Sequence, residues 1–268
     1  MNALALAGAA LMGGRLRQSH SLGGGSLSSL VRIVLEDGRE AIAKTGPSAE
    51  VEAGMLRAIR AAGAPAPEVL AAEGKVLVLE TLPGGDALGG AWTELGTVLS
   101  VLHAARGDRY GWESDYAFGP VAIVNRWSSD WPRFWADHRL LVNLPYVGSG
   151  LSRRIERLCA DLPNRLPQSP APSLLHGDLW GGNILVSGRA VSGLIDPACY
   201  YGDGEVDIAM LMMFDHPSAA FFSAYGGLLP GHEERLAIYR LWPALVHLRL
   251  FGSGYRSLAD RLLADLGV

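Results

Sequence analysis

The stretch from Ser173 to Met210, SLLHGDLWGGNILVSGRAVSGLIDPACYYGDGEVDIAM, constrains this chain more than any other. Asp178 and Asn183 stand five apart on a glycine-containing loop. Ile184 to Val186 then reads as a strand, Ser187-Gly188-Arg189 as a turn, and Ala190 to Ile195 as the return strand, which ends at Asp196. A hairpin brings its two ends together, so Asn183 and Asp196 are expected side by side, with Asp178 just beside them. That is a pair of oxygen ligands for Mg²⁺ at a hairpin mouth, with a spare carboxylate one loop away. Mg²⁺ takes few carboxylates and fills its shell with substrate phosphates and water. A neighbouring carboxylate can orient or deprotonate an attacking hydroxyl. Taken singly, Asp178 is a turn aspartate, Asn183 a loop amide and Asp196 a helix cap. It is the joint spacing that points to phosphoryl transfer from ATP.

Lys44 is the second piece. Only two of the 23 basic residues are lysines, Lys44 and Lys75, so arginine serves wherever a generic positive charge suffices. A compact ammonium is wanted where a guanidinium fork would not fit. Lys44 lies late on a strand (AIAK), eight residues before Glu52 on the following helix, with Glu50 as the competing partner. Glu52 shares a face with Met55, Leu56 and Ile59, which turns it inward. A buried Lys–Glu pair can hold the α- and β-phosphates of ATP; the plain alternative is a solvated edge lysine. Gly23, Gly24 and Gly25, followed by Ser26, form a weaker third signal. Such a turn lets backbone N–H groups approach phosphates, and is equally an ordinary hairpin turn. The chain contains no G-x-x-x-x-G-K-[ST] loop, which excludes Walker-type nucleoside triphosphatases.

Composition sets the bounds. The 268 residues allow one large domain or two modest ones. At 49% apolar and 19% charged the chain is not disordered, and its 34 glycines and 15 prolines fall short of low complexity. A net charge of −4 gives no electrostatic footprint for nucleic acid. Cys159 and Cys199 are too few for a zinc site or a disulfide framework, which reads as a reducing cytoplasm. Met1 to Gly14 is apolar but has no basic segment in front of it, so it reads as a short helix packing on the first domain. No run of about 20 apolar residues suggests a membrane span.

Along the chain, Leu30 to Leu35 and Glu40 to Thr45 are expected to pair across an Asp-Gly turn. Residues 48–61 read as a helix capped by Ser48, and Val76 to Leu82 as a buried strand. After a breaker cluster at Pro83 to Asp86, the periodicity becomes helical, over Ala91 to Ala105, Trp131 to Leu144 and Ser152 to Asp161. Residues 162–172 read as a loop, residues 216–232 as a helix end and loop, and the chain beyond Asp207 as mainly helical. The expected architecture is α+β and bilobal. A small β-rich nucleotide-binding lobe covers 1–82, a larger, mainly helical catalytic and substrate lobe covers 83–268, and a hinge lies at about 81–86.

At this point the residues resemble a known group. His176-Gly-Asp-Leu-Trp-Gly-Gly-Asn183, Ile195-Asp-Pro-Ala-Cys-Tyr-Tyr-Gly202 and Glu205-Val-Asp-Ile-Ala-Met210 are similar to the fructosamine (ketosamine-3-) kinase family, within the aminoglycoside phosphotransferase and protein-kinase-like fold. Shorter patches agree, among them Glu52 to Leu56, Trp92 to His103, Asn125 to Trp131 and Phe251-Gly252. H-G-D-x-x-x-x-N marks only the superfamily; Trp180 and the I-D-P-A-x-Y-Y-G continuation narrow it. The resemblance implies ATP and Mg²⁺ as cofactors and transfer to the 3-hydroxyl of a free or lysine-bound fructosamine or ribulosamine. The unstable product makes this a deglycation. It implies Asp178 as catalytic base, Asn183 and Asp196 as metal ligands, and Lys44 and Glu52 on the phosphates beneath the glycine turn. Backbone groups near Glu80 and Leu82 would hold adenine. Trp180 would border the sugar, with Met213 and His247 as wall candidates that ordinary core packing also explains. Glu205 and Asp207 would brace the catalytic loop. A monomer is expected, without the redox-linked dimer of members that carry a cysteine in the glycine loop. Gly181 stands where serine is common. An aminoglycoside, choline or homoserine kinase of the same fold is the first alternative, and a catalytically dead nucleotide-binding scaffold the second.

Overall fold

Apolar alternation in LVRIVL and the Asp-Gly turn that follows it build the centre of the first lobe. The structure, a computed structural model, describes residues 2–23, 29–46 and 48–268. Strands β1 (Leu16–Leu22), β2 (Leu30–Leu35) and β3 (Glu40–Thr45) join β4 (Val69–Glu73) and β5 (Val76–Leu79) in an antiparallel sheet of order β1-β2-β3-β5-β4. Period two along β3 sends Ala41 and Ala43 to one face and Ile42 and Lys44 to the other. The first face is covered by helix α1 (Ala3–Leu11), whose Leu4 and Ala5 pack on Val31, Ile33, Ala43 and Val78. Gly8 permits that close approach, because a Cβ there would lie 2.8 Å from the Ala43 Cβ. The second face receives helix α2 (Ala49–Ala61), capped by Ser48 and burying Glu52, Met55, Leu56 and Ile59.

The larger lobe is built on helices α3 (Trp92–Ala104), α4 (Trp131–Trp135), α5 (Ser149–Arg165), α6 (Glu205–Phe214), α7 (Ala219–Tyr225), α8 (His232–Phe251) and α9 (Arg256–Asp265). Three short antiparallel pairs insert among them: β6 (Tyr116–Phe118) with β7 (Val121–Ile123), β8 (Ser173–Leu175) with β11 (Tyr200–Gly202), and β9 (Ile184–Ser187) with β10 (Ala190–Leu194). The face of α2 and the inner side of β5 belong to the same continuous core as these helices, so the lobes share one hydrophobic interior. Among the described residues no helix is long and apolar enough to cross a membrane.

Several expectations are corrected. The single helix over Trp131 to Leu144 is α4 followed by a π turn, Ala136–Leu140, and a 3₁₀ turn, Leu141–Tyr146. The reason is Arg139, fully buried within the π turn. Its guanidinium donates to Val124 O and Asn125 Oδ1, both at 2.7 Å, and lies 4.1 Å from the ring centre of Tyr200. Helix α5 runs on past Asp161 to Arg165 despite Pro163. Leu162 completes the buried stripe of Leu151, Ile155 and Leu158, and Asp161 pairs with Arg165. Residues 216–232 contain α7, which buries Phe221 against α3; a Cβ on Gly96 would come within 2.4 Å of the Phe221 carbonyl. Strand β5 ends at Leu79, three residues short of Leu82. Beyond it, the 83–86 segment docks on the β9–β10 hairpin: Ser192 donates to Pro83 O, Asp86 N–H to Val186 O, and Gly188 N–H to Asp86.

Candidate active site

The β9–β10 ribbon pairs Ile184 with Leu194 and carries Asn183 and Asp196 just beyond its two ends. Ile195 N–H donates to Asn183 O at 3.0 Å and closes the mouth. A bulge between Val191 and Gly193 bends the return strand, and Leu82 packs so closely on Gly193 that a Cβ would meet its Cδ1 at 2.3 Å. Asp196 has φ +55°, alone among the described non-glycine residues in a left-handed backbone. Aspartate tolerates that region better than most residues, and a strained residue over-determined by its surroundings is common at functional sites.

Asp196 Oδ1 lies 2.7 Å from Lys44 Nζ, which also meets Glu52 Oε1 at 2.8 Å. Lys44 is 5% exposed and Glu52 1%, whereas the competing Glu50 is exposed. Burial works against the ammonium, but Glu52 and Asp196 overcome it and hold its pKa above the usual lysine value. The Tyr116 hydroxyl, from β6, donates to Glu52 Oε2 at 3.2 Å, so both Glu52 oxygens are engaged. On the other side, Asn183 Nδ2 donates to Asp178 O at 2.8 Å and to Asp178 Oδ2 at 3.0 Å. That turns the Asn183 carbonyl oxygen away from Asp178. Burial pushes the Asp178 carboxyl up to about 7, with the nearby Asp196 charge adding to the rise and the Asn183 hydrogen bond opposing it.

The loop that carries Asp178 is held from below. Asp207 on α6 accepts His176 N–H at 2.7 Å and Gly177 N–H at 2.9 Å, and its Oδ2 is 3.1 Å from His103 Nε2. Burial alone would push the Asp207 carboxyl up; the hydrogen bonds from His103 and Gly177 hold it below the usual carboxylate range. His176 Nε2 lies 3.0 Å from Ile195 O, a group that only accepts, so this nitrogen carries the hydrogen. Its Nδ1 then accepts Asp178 N–H at 3.3 Å, and burial keeps the ring neutral by lowering its pKa. Gly177 has φ +81°, and a Cβ there would fall 2.0 Å from Ala198 O. Farther along the loop, Asp215 Oδ2 accepts Gly181 N–H at 2.7 Å. A Cβ on Gly181 would meet Asp215 Oδ1 at the same distance, so glycine leaves room for that carboxylate. The Trp180 indole folds over Gly182, whose Cβ would touch the ring at 2.3 Å.

These groups open onto a cleft of about 850 Å³ between the lobes. Lys44, Glu52, Asp178, Asn183 and Asp196 line it, and so do Trp180 and His247. The other expected residues stand elsewhere. Met213 packs half-buried against the core, and Met210 and Phe214 of the same helix face the cleft instead. Glu80 uses its N–H on Glu68 O at 2.9 Å, its carboxylate accepts Glu68 N–H at 3.0 Å, and the Leu82 side chain covers the hairpin bulge. Neither side chain lines the cleft; among the described residues, Glu80 O and Leu82 N–H have no backbone partner. Gly24, Gly25 and Ser26 lie outside the described residues. Sequence reasoning missed Tyr116 and Phe118, for which two three-residue strands give no signal. It noted Lys75 only as the second lysine; Lys75 also lines the cleft.

The donor set fits a magnesium ion shared with phosphate. Among the described residues no cluster of three or more His, Cys, Asp or Glu side chains could hold a metal alone. Asn183 and Asp196 supply one amide oxygen and one carboxylate, the sparse protein share that Mg²⁺ takes when phosphates complete its shell.

Comparison with known proteins agrees with this geometry. The family model described as fructosamine kinase matches residues 11–267. A candidate ketoamine kinase of Synechocystis sp. is 38% identical over 201 residues, which cover 70% of this chain and 66% of that protein. The chain thus spans just under two thirds of that relative. The crystal structure of a candidate fructosamine-3-kinase from Thermobifida fusca superimposes with a TM-score of 0.90 at 28% identity, covering 99% of both chains. An aminoglycoside phosphotransferase in complex with ADP and hygromycin B, at 18% identity, TM-score 0.63 and 94% and 90% coverage, shares the protein-kinase-like fold. With a family match that runs through nearly every element described above, the chain belongs to the fructosamine kinase family.

Proposed function

We propose that the protein is an ATP-dependent kinase that phosphorylates the 3-hydroxyl of ketosamines, fructosamines or ribulosamines, free or lysine-bound. One observation carries the reading. A continuous chain of contacts runs from Glu52 through Lys44 to Asp196, beside Asn183, which is bonded to Asp178, all in one cleft. Lys44, fixed by Glu52, binds phosphate oxygens of the nucleotide. Asn183 and Asp196 hold Mg²⁺, which when bound neutralises charge on the β- and γ-phosphates. The Glu80 carbonyl and the Leu82 N–H receive the adenine edge. Asp178 takes the proton of the attacking hydroxyl, and a carboxyl that titrates near neutrality in the free protein is suited to that task. Trp180 offers an indole face to the sugar. Every group named comes from one chain, so a monomer suffices. The phosphorylated product is unstable, and its breakdown frees the amine.

The test is purified protein with Mg-ATP and a panel of ribulosyl-lysine, fructosyl-lysine, an aminoglycoside and choline. Phosphate on ketosamines alone, at O3, supports the proposal. Turnover only of choline or of the antibiotic overturns it, and so does nucleotide binding with no turnover that Asp178→Ala leaves unchanged.

A further inference from the structure

Beyond Trp180 the helical wall of the cleft is a run of rings. Trp180 faces Phe214 with centroids 6.1 Å apart, and Phe214 faces His247 at 5.2 Å. His247 in turn faces Phe251 at 5.4 Å and Tyr255 at 4.9 Å. All five line the cleft. Trp180 is 41% exposed, Phe214 38% and Phe251 50%, so three of the exposed large hydrophobics of the chain meet at one place. Scattered exposed apolar residues are ordinary, but a contiguous patch in a concave wall marks a binding surface. His247 does not break its character. Nδ1 is 2.8 Å from Pro243 O, an acceptor only, so that nitrogen carries the hydrogen, and burial lowers the pKa and keeps the ring neutral. The carboxylates lining the cleft, among the described residues, are Glu52, Asp178 and Asp196, each already committed to the transfer chemistry. None is left to pair with a second cation on a substrate.

The reacting hydroxyl of a ketosamine sits on C3, and the amine on C1, two carbons away. With O3 against Asp178, the substituent on the amine must continue into the adjacent wall, and Trp180 starts that wall two residues from Asp178. We infer that the ring strip from Trp180 to Tyr255 seats the amine substituent, and that the part of the substituent it takes is apolar, an arylalkyl or alkyl chain (the butyl chain of a lysine included), with any carboxylate or second ammonium carried beyond the rings. The inference rests on the ketosamine reading above and deepens it.

Ribulosamines of methylamine, 2-phenylethylamine and β-alanine test it, with Kd measured by calorimetry without nucleotide and kcat/KM measured with Mg-ATP. The phenylethyl compound should exceed the methyl one by at least about tenfold in both, the worth of burying part of one ring. In Phe251→Ala and Phe214→Ala the phenylethyl-to-methyl ratio should fall to about threefold or less, since each removes one wall of the strip. Phe251→Leu, which keeps bulk but loses the ring, should fall between. Equal constants for the three amines, or a preference untouched in all three variants, overturns the inference. A preference for the β-alanine compound overturns it too and puts Lys75 in charge of the amine end. A binding preference without phosphate transfer supports the subsite and sinks the kinase reading, so the two failures are told apart.

Discussion

Gly177→Ala probes the backbone that aims the catalytic loop, and Gly74→Ala supplies its control. Both glycines have a left-handed backbone, φ +81° and +59°. A methyl at Gly74 meets nothing within 4 Å, whereas one at Gly177 falls 2.0 Å from Ala198 O. Left-handed strain alone costs an alanine about 1–2 kcal/mol. At Gly74 that is the whole effect. At Gly177 the backbone must also part, which threatens the 2.8 Å bond from Ala198 N–H to His176 O and the two N–H bonds into Asp207. Each buried group left unsatisfied costs about 1–3 kcal/mol. Losing one or two puts the total at about 2–8 kcal/mol, a large fraction of the ~5–15 kcal/mol that holds a domain together. Urea denaturation of parent and variants reads the difference as a lowered midpoint at constant slope. Gly177→Ala should melt far earlier than Gly74→Ala, and whatever folds should turn over slowly, because Asp178 follows Gly177 directly. Equal midpoints for the two variants, with parental turnover in Gly177→Ala, would refute the claim that this crossing sets the loop.

Asp207→Asn should be destabilised at pH 7, and the deficit should shrink below about pH 4. A carboxyl with a depressed folded pKa contributes stability above its unfolded pKa, near 4, and loses it as pH falls through the folded value; a deficit independent of pH would contradict the assignment. Lys44→Arg should lower kcat/KM for ATP by at least about tenfold, since Nζ sits between carboxylates at 2.8 and 2.7 Å and leaves no width for a guanidinium; steady-state kinetics with varied Mg-ATP checks this, and parental values would refute it. Of the two cysteines, Cys199 is fully buried and burial pushes its thiol well above its usual value, so peptide mapping after Ellman's reagent at pH 8 should find it unmodified in the folded protein and modified in denaturant; rapid native labelling of Cys199 would contradict its burial.

What could be read from residues alone follows the strength of the local signal. Asn183, Asp196 and Lys44 were legible because a hairpin joins its own ends and because period two decides which face of β3 a lysine occupies. Glu52 was legible because α2 is amphipathic, with one apolar stripe that fixes its rotation. Helix α6 offers no such stripe: past Glu205 and Asp207 in its first turn, EVDIAMLMMF is apolar on every side, so nothing in it says that Met210 and Phe214 face the cleft and Met213 the core. Strand β1 is an exposed edge whose LRQSHSL shows no alternation, and β6 and β7 span three residues each. The break after α4 lies in Arg139, since a charged residue in a helical pattern reads as surface until three aromatic rings, Phe134, Tyr200 and Trp242, are seen to enclose it. Tyr116 reaches Glu52 across 64 residues, a contact no local pattern records.

The division of labour between Asp178 and Asp196 is the centre of the proposed chemistry, and calorimetric titration of Asp178→Ala and Asp196→Ala with ATP, with and without Mg²⁺, tests it most directly. Asp178→Ala should bind Mg-ATP within about threefold of the parent while its turnover falls by about 10²–10⁴, the range of a lost general base. Asp196→Ala should lose the gain in affinity that Mg²⁺ confers. Equal losses of nucleotide affinity in both variants, or near-parental turnover in Asp178→Ala, would contradict the assignment of base and metal ligand.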